Sequence, residues 1–272
     1  ARWAARGIST STYGLGDGFN EDLMVAMARA GGGNHYYGDT ADDLMEPFER
    51  ELDLISRLVL RRLVLRVQPA DGVQVSMMNL LARASDGGWH LVDLAAGAEA
   101  WALLSVCVTA DRVRDIGTLA EVFKLELSAQ LPDGAPAAIP PVTLQLPVLT
   151  AAAHETLAQD ELVMRRRSEL EAAETLARIR ALVSEGEWDQ VEALLQAARN
   201  KYGDNPWVRD VVTAMGELAA QRDDSRLMKE MTYFRVAAHS RLAESRETLS
   251  VGDRLEIPSF LRRKTRQGKS GR

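Results

Sequence analysis

The hydrophobic pattern of this 272-residue chain changes period twice, and the changes divide it into three regions and a tail. In the first region, Ile8-Ser-Thr-Ser-Thr-Tyr13 is short and β-branched, as a strand is, and Gly14 and Gly16 bracket Leu15 in a tight turn. Asn20 offers an N-cap, with Glu21 and Asp22 in the turn where the helix dipole favours acids. Leu23, Met24, Met27 and Ala30 fall near one face of the predicted helix, and Gly31-Gly32-Gly33 stops it. His35-Tyr36-Tyr37 reads as a second strand. Asp39 or Thr40 caps a further helix through Leu44, Met45, Phe48, Leu52 and Ile55, with Pro47 inside it as a kink point. Ahead of all this, Trp3 to Arg6 reads as a last helical turn closed by Gly7.

From residue 58 the period falls towards two. LVLRRLVLRVQPADGVQV interleaves apolar residues with Arg and Gln and turns at Pro-Ala-Asp-Gly. GWHLVDL, AWALLSVCV, EVFKLELSAQL and PPVTLQLPVL are further strand candidates, and Pro132, Pro136, Pro140 and Pro141 exclude a helix there. About half a dozen short strands with turns between them predict an antiparallel β-sandwich over 58–150. Beyond residue 153, Ala, Glu, Leu and Arg dominate. Breaks at Gly186 and at Asp204-Asn205-Pro206 predict successive helices, with Leu176, Ile179, Leu182 and Val183 facing Val191, Leu194 and Leu195. Trp188 sits just after the turn glycine as a wedge, and Met228 to Glu247 reads as one more helix. The stretch 184–195 resembles the inter-helix turn of a tetratricopeptide-type repeat, but only one such unit is visible, so an α-helical hairpin bundle is the preferred reading of 153–247.

Composition narrows the function classes. With 46% apolar and 26% charged residues the chain is an ordinary globular sequence, and no apolar run approaches the ~20 residues of a membrane span. A net charge of −6 argues against a nucleic-acid-binding body. The single cysteine, Cys107, excludes an intrachain disulfide and reads as a small buried strand residue. The four histidines, His35, His90, His154 and His239, are scattered without metal-ligand spacing. Gly14 to Phe19 is followed by no Lys-Ser/Thr pair, which excludes a phosphate loop, and no Gly-x-Ser-x-Gly, His-Glu-x-x-His or Cys–His pair occurs. No catalytic residue and no cofactor is assigned to the chain.

The opening segment resembles the C-terminal half of a von Willebrand factor type A (vWA) domain, whose "GIxxxTxGxG" strand is followed by "xxNExLLxxxAxxxGGxYYxxxD". The matching residues are Gly7, Ile8, Thr12, Gly14, Gly16, Asn20, Glu21, Leu23, Met24, Ala28, Gly32, Gly33, Tyr36, Tyr37 and Asp39. The resemblance covers about a fifth of the chain. It implies a mixed architecture: a truncated, Rossmann-like vWA half over 1–57, the β-sandwich over 58–150, the helical bundle over 153–247 and a basic tail over 248–272. It also implies that Mg²⁺, which the family binds through an Asp-x-Ser-x-Ser loop and further oxygen ligands, is held by residues upstream; no such motif occurs here, and no metal ligand is assigned.

The tail carries the most specific short motif. Arg254-Leu-Glu-Ile-Pro-Ser-Phe-Leu-Arg-Arg-Lys264 resembles the C-terminal peptide of the bacterial division protein FtsZ, with Glu256, Ile257, Pro258, Phe260, Leu261, Arg262 and Arg263 as candidate partner-binding residues. Ile257, Phe260 and Leu261 are apolar anchors, Pro258 lowers the cost of ordering, and the arginines steer towards acidic grooves. A merely solubilising tail is the alternative. The expected function is non-enzymatic scaffolding in a bacterium-like cytoplasm, with protein partners, among them a cell-division protein through the tail; the alternative is an accessory region of a larger enzyme with its catalytic domain upstream.

Overall fold

The computed structural model describes residues 8–16, 18–38, 40–110, 116–239 and 243–244. Local signals act first at Asn20, whose side chain accepts a hydrogen bond from the Leu23 N–H at 2.9 Å and starts a helix. The resulting order is β1 (Thr10–Leu15), α1 (Glu21–Gly31) and β2 (Gly32–Gly38), with β1 and β2 parallel. The three glycines between α1 and β2 serve three purposes. At Gly31 a Cβ would stand 2.6 Å from the Thr10 Cβ; Gly32 takes the left-handed conformation (φ 68°) that ends α1; at Gly33 a Cβ would stand 2.6 Å from the Thr10 carbonyl carbon. The β1–β2 register shifts by one residue at this point. Gly33→Val is therefore expected to lose about 2–3 kcal/mol by overpacking against backbone. Denaturant unfolding checks it, and a change below about 0.5 kcal/mol, typical of an unconstrained surface site, would contradict the close approach.

α2 (Ala41–Ser56) begins where the Thr40 N–H and hydroxyl both donate to the Asp43 carboxylate, at 2.9 and 2.8 Å, and it runs unbroken through Pro47. The packed faces of these two helices differ from the expectation. In α1 the small residues Ala28 and Gly31 are buried, whereas Leu23 and Met27 are exposed; in α2 Asp43, Glu51 and Leu54 are buried, whereas Met45, Phe48, Leu52 and Ile55 are exposed. A helix lying close on a sheet needs small side chains at the contact, and that requirement outranks apolar periodicity in α1.

The chain passes from α2 into β3 (Leu58–Pro69), the centre of the β region, followed by β4 (Val73–Met77), β5 (Trp89–His90), β6 (Leu94–Ala95), β7 (Ala98–Glu99), β8 (Leu104–Val108), β9 (Leu119–Gln130) and β10 (Val142–Pro147). One antiparallel sheet runs β10-β9-β3-β5, with β6 also on β3, and β4 pairs with β8 as a separate ribbon. Val73, Val122 and Phe123, with Val67, Val75, Leu104 and Leu125 around them, form a small core between sheet and ribbon, the sandwich-like arrangement expected. The apolar alternation of β3 changes parity at Arg61-Arg62, where the register to β9 shifts and Arg62 adopts φ 53°. Cys107 is a correction: it is exposed, because the two-stranded ribbon covers only one of its own faces.

The C-terminal region is helical as expected: α3 (Ala151–Glu155), α4 (Glu161–Glu185), α5 (Trp188–Tyr202), α6 (Pro206–Ala220) and α7 (Asp224–His239). Gly186 closes α4 at φ 77°, and Asn205 caps α6 with Pro206 in its first turn. Leu176, Ile179, Val191, Trp207, Met215, Leu227 and Phe234 fill the core, with Trp207 stacked on Phe234 at 4.5 Å. α7 returns to pack on α4 as well as on α6, so the group is a closed bundle and not an open repeat array. The last predicted helix, Met228 to Glu247, is corrected at both ends. α7 starts at Asp224, and Ala243–Glu244 form β11, antiparallel to β7.

Candidate functional site

The two faces of the β1–β2 sheet carry different chemistry. On one, Tyr13 stacks on Tyr36 at 5.0 Å and meets Phe48 of α2 edge-on at 5.6 Å. The hydroxyls of Ser11 and Tyr13 both donate to the buried Glu51 carboxylate, the latter at 2.6 Å, and burial followed by that carboxylate raises the Tyr13 phenol above its ordinary range. On the other face the Thr12 hydroxyl donates to the Met24 carbonyl at 3.0 Å, so it must accept from His35 Nδ1 at 2.9 Å. That assigns the Nδ1–H tautomer to His35, and burial lowers its pKa to about 4. Among the described residues no third strand pairs with β1 or β2. Along α2, Met45, Phe48, Leu52 and Ile55 are 52, 44, 51 and 43% exposed.

The three regions meet at a junction around α7. Lys229, with its side chain 2% exposed, donates to the Gly16 carbonyl at 3.1 Å and lies over the rings of Phe19 and Tyr37. Arg180 of α4 bonds both carboxylate oxygens of Asp22 on α1, at 3.0 and 3.1 Å. His239, the last residue of α7, accepts from the Leu80 N–H through Nδ1 at 3.1 Å, which leaves the Nε2–H to donate to Glu174 at 3.2 Å. Asn79 completes the contact, donating to the His239 carbonyl at 3.0 Å while accepting from the Leu103 N–H at 2.7 Å. The His239 pKa falls to about 4, chiefly through burial, against the raising effect of Glu174 and with Arg235 and Arg29 also lowering it. Arg166 of α4 pairs with Glu169 at 3.2 Å and with Glu99 of β7, and lies over the Trp101 ring at 4.7 Å. A cavity of ≈ 240 Å³ opens where α1, the loops around Leu81 and Leu91, α4 and α7 converge.

The chain matches no protein-family model, and no curated protein matches it in sequence. Among solved structures it is similar to a von Willebrand factor type A protein from Catenulispora acidiphila, with 13% identity and a TM-score of 0.60 over 89% of this chain and 61% of that one. It is also similar to the ArnB paralog VWA2 from Sulfolobus acidocaldarius, with 16% identity and a TM-score of 0.47 over 86% of this chain and 57% of that one. The fold is vWA-like. The chain thus spans about three fifths of the length of the first of these structures.

The vWA-like fold raises the question of Mg²⁺. Among the described residues no group of three or more His, Cys, Asp or Glu is placed to hold a metal ion; Glu51 takes two hydroxyls, and Asp43 caps α2 through Oδ2 with no second carboxylate grouped beside its other oxygen. The described residues do not fit the ion. The tail residues Glu256, Ile257, Pro258, Phe260, Leu261, Arg262 and Arg263 lie outside the described residues, as do Trp3 to Gly7. Sequence reading missed the junction altogether: Asn79 and His239, or Asp22 and Arg180, stand some 160 positions apart and no local pattern links them. Among the described residues no helix is long and apolar enough to cross a membrane.

Proposed function

We propose that this protein is a non-enzymatic protein–protein interaction scaffold of the vWA class. One observation carries the reading: α2, which packs on a parallel two-stranded sheet that pairs with no further strand among the described residues, bears an exposed apolar row. Parallel sheets ordinarily have both faces covered, and a contiguous exposed apolar face marks a contact surface. In this reading residues 8–56 are the C-terminal part of a vWA-type unit, β1 takes a further strand of that sheet, and any Mg²⁺ dependence belongs to residues other than those described. The divisions 1–57, 58–150 and 153–247 are its structural units, in a cytoplasmic setting. α2 ends at Ser56 and β3 begins at Leu58, with Arg57 bonded to Asp53 and to the Ala96 carbonyl, so a contact on α2 is passed directly to the β region. The tail, 248–272, is a second docking element, anchored by Ile257, Phe260 and Leu261 and suited to an acidic groove on a cell-division protein.

Affinity capture with the parent chain, with Met45→Glu/Leu52→Glu and with Phe260→Ala tests this. Each variant is expected to lose a different subset of partners by about tenfold, with the melting temperature unchanged because the α2 side chains are exposed. Equal recovery from all three overturns the proposal.

A further inference from the structure

The junction cavity is lined by both cationic and apolar side chains. Arg29, Arg180 and Arg235 reach it from α1, α4 and α7. Arg180 spends only Nη2 on Asp22, and Arg235 only Nη2 on Glu174 at 3.3 Å. Among the described residues the Nη1 groups of both have no protein acceptor, and Arg29 has no carboxylate partner. Three guanidinium groups therefore stand against two carboxylates, and the cavity keeps a surplus positive charge. His239, buried and neutral above pH 6.5, adds none. Val25, Leu81, Val92, Met231 and Val236 also line the cavity, and their side chains offer nothing to water.

A space of ≈ 240 Å³ is roomy enough for several waters or a small organic molecule. Water against the apolar side chains would lack partners, while guanidinium nitrogens without a protein acceptor suit an anionic one. A molecule with an acidic head and a short apolar body satisfies both kinds of lining at once.

We infer that this cavity binds a small organic anion, its carboxylate or phosphate head against Arg29, Arg180 and Arg235 and its apolar body against Val25, Leu81 and Met231. All three regions of the chain contribute to the wall, so occupancy ties them together and stabilises the folded state by mass action. Such a ligand acts as an effector of the whole assembly and needs no catalytic group.

Titration calorimetry and thermal unfolding with octanoate and octyl phosphate test the inference, with 1-octanol and inorganic phosphate as half-ligands. At least one amphiphilic anion is expected to bind about tenfold or more tightly than either half-ligand and to raise the melting temperature. Preference for octanoate assigns a carboxylic acid, and preference for octyl phosphate a phosphate monoester. Arg29→Gln removes the one unpaired guanidinium and is expected to weaken binding about tenfold at unchanged melting temperature of the free protein. Ala177→Leu, which fills the cavity from α4, is expected to abolish binding. Anions that bind no better than 1-octanol, or Arg29→Gln protein that binds as the parent does, overturn the inference.

Discussion

Arg166→Ala is expected to destabilise the protein by about 3–5 kcal/mol, the cost typical of breaking a buried charge pair. The Arg166 side chain is 7% exposed and that of Glu169 2%, so neither regains much water when the partner is removed. The arginine also holds Glu99, on the β7 strand that pairs with β11, and covers Trp101, so its loss loosens the seam between the helical bundle and the β region. The complementary variant separates the energy of the pair from the cost of an abandoned charge. Replacing Arg166, Glu169 and Glu99 together by Met, Leu and Leu is expected to lie within about 2 kcal/mol of the parent, because apolar packing offsets the lost ion pairs. Denaturant unfolding of the three proteins decides it. A single-variant loss below about 1 kcal/mol, the range of exposed salt bridges, would mean that water reaches this cluster.

None of that cluster was legible in the sequence, and the reason is distance along the chain. Signals that act within four residues were legible: Asn20 as an N-cap, Asp39 or Thr40 as the start of α2, Gly31–Gly33 as the end of α1, and helix breaks at Gly186 and at 204–206, which the structure resolves into a left-handed Gly186 and an Asn205 cap. The parallel strand–helix–strand unit, the antiparallel region and the helical bundle followed from period and punctuation, and each is present. What failed was the assignment of faces. The apolar row of α2 looks like a core stripe in the sequence and is exposed in the structure, because periodicity states that a helix has an apolar side without stating what covers it. Cys107 failed for the same reason, since a strand in a narrow ribbon carries the alternation of a buried one. Arg166, Lys229 and His239 are single polar residues within helical runs, where the ordinary reading is a solvated side. Their burial follows from the way three separately legible units share one junction.

The same junction governs the response to acid. His35 and His239 are both held neutral, His35 by burial and His239 by burial together with a hydrogen bond from Leu80 that only the neutral ring can accept, and both have folded pKa values of about 4 against about 6.5 in the unfolded chain. Depressed values mean that the unfolded state takes up the proton first. The stabilisation is complete above pH 6.5, declines as pH falls, and is gone below pH 4. Each histidine accounts for about 3 kcal/mol over that window, with a slope of about 1.4 kcal/mol per pH unit in its middle. For His239 the structural consequence is specific: protonated Nδ1 cannot accept from the Leu80 N–H, and the new charge faces Arg235 and Arg29 with only Glu174 to offset them. For His35 the cost is a charge placed beneath Phe19 and close to the Thr12 hydroxyl, without a facing carboxylate as a cause of its shift. Denaturant unfolding between pH 4 and 7 is therefore expected to show stability falling by about 6 kcal/mol in the parent, by about half that in His35→Gln or His239→Gln, and by little in the double variant until the carboxylates titrate. Parallel pH profiles for parent and double variant would contradict both assignments. Because β2 carries one histidine and the end of α7 the other, acid acts both inside the vWA-like sheet unit and at the seam where α7 meets the Leu80 segment of the β region.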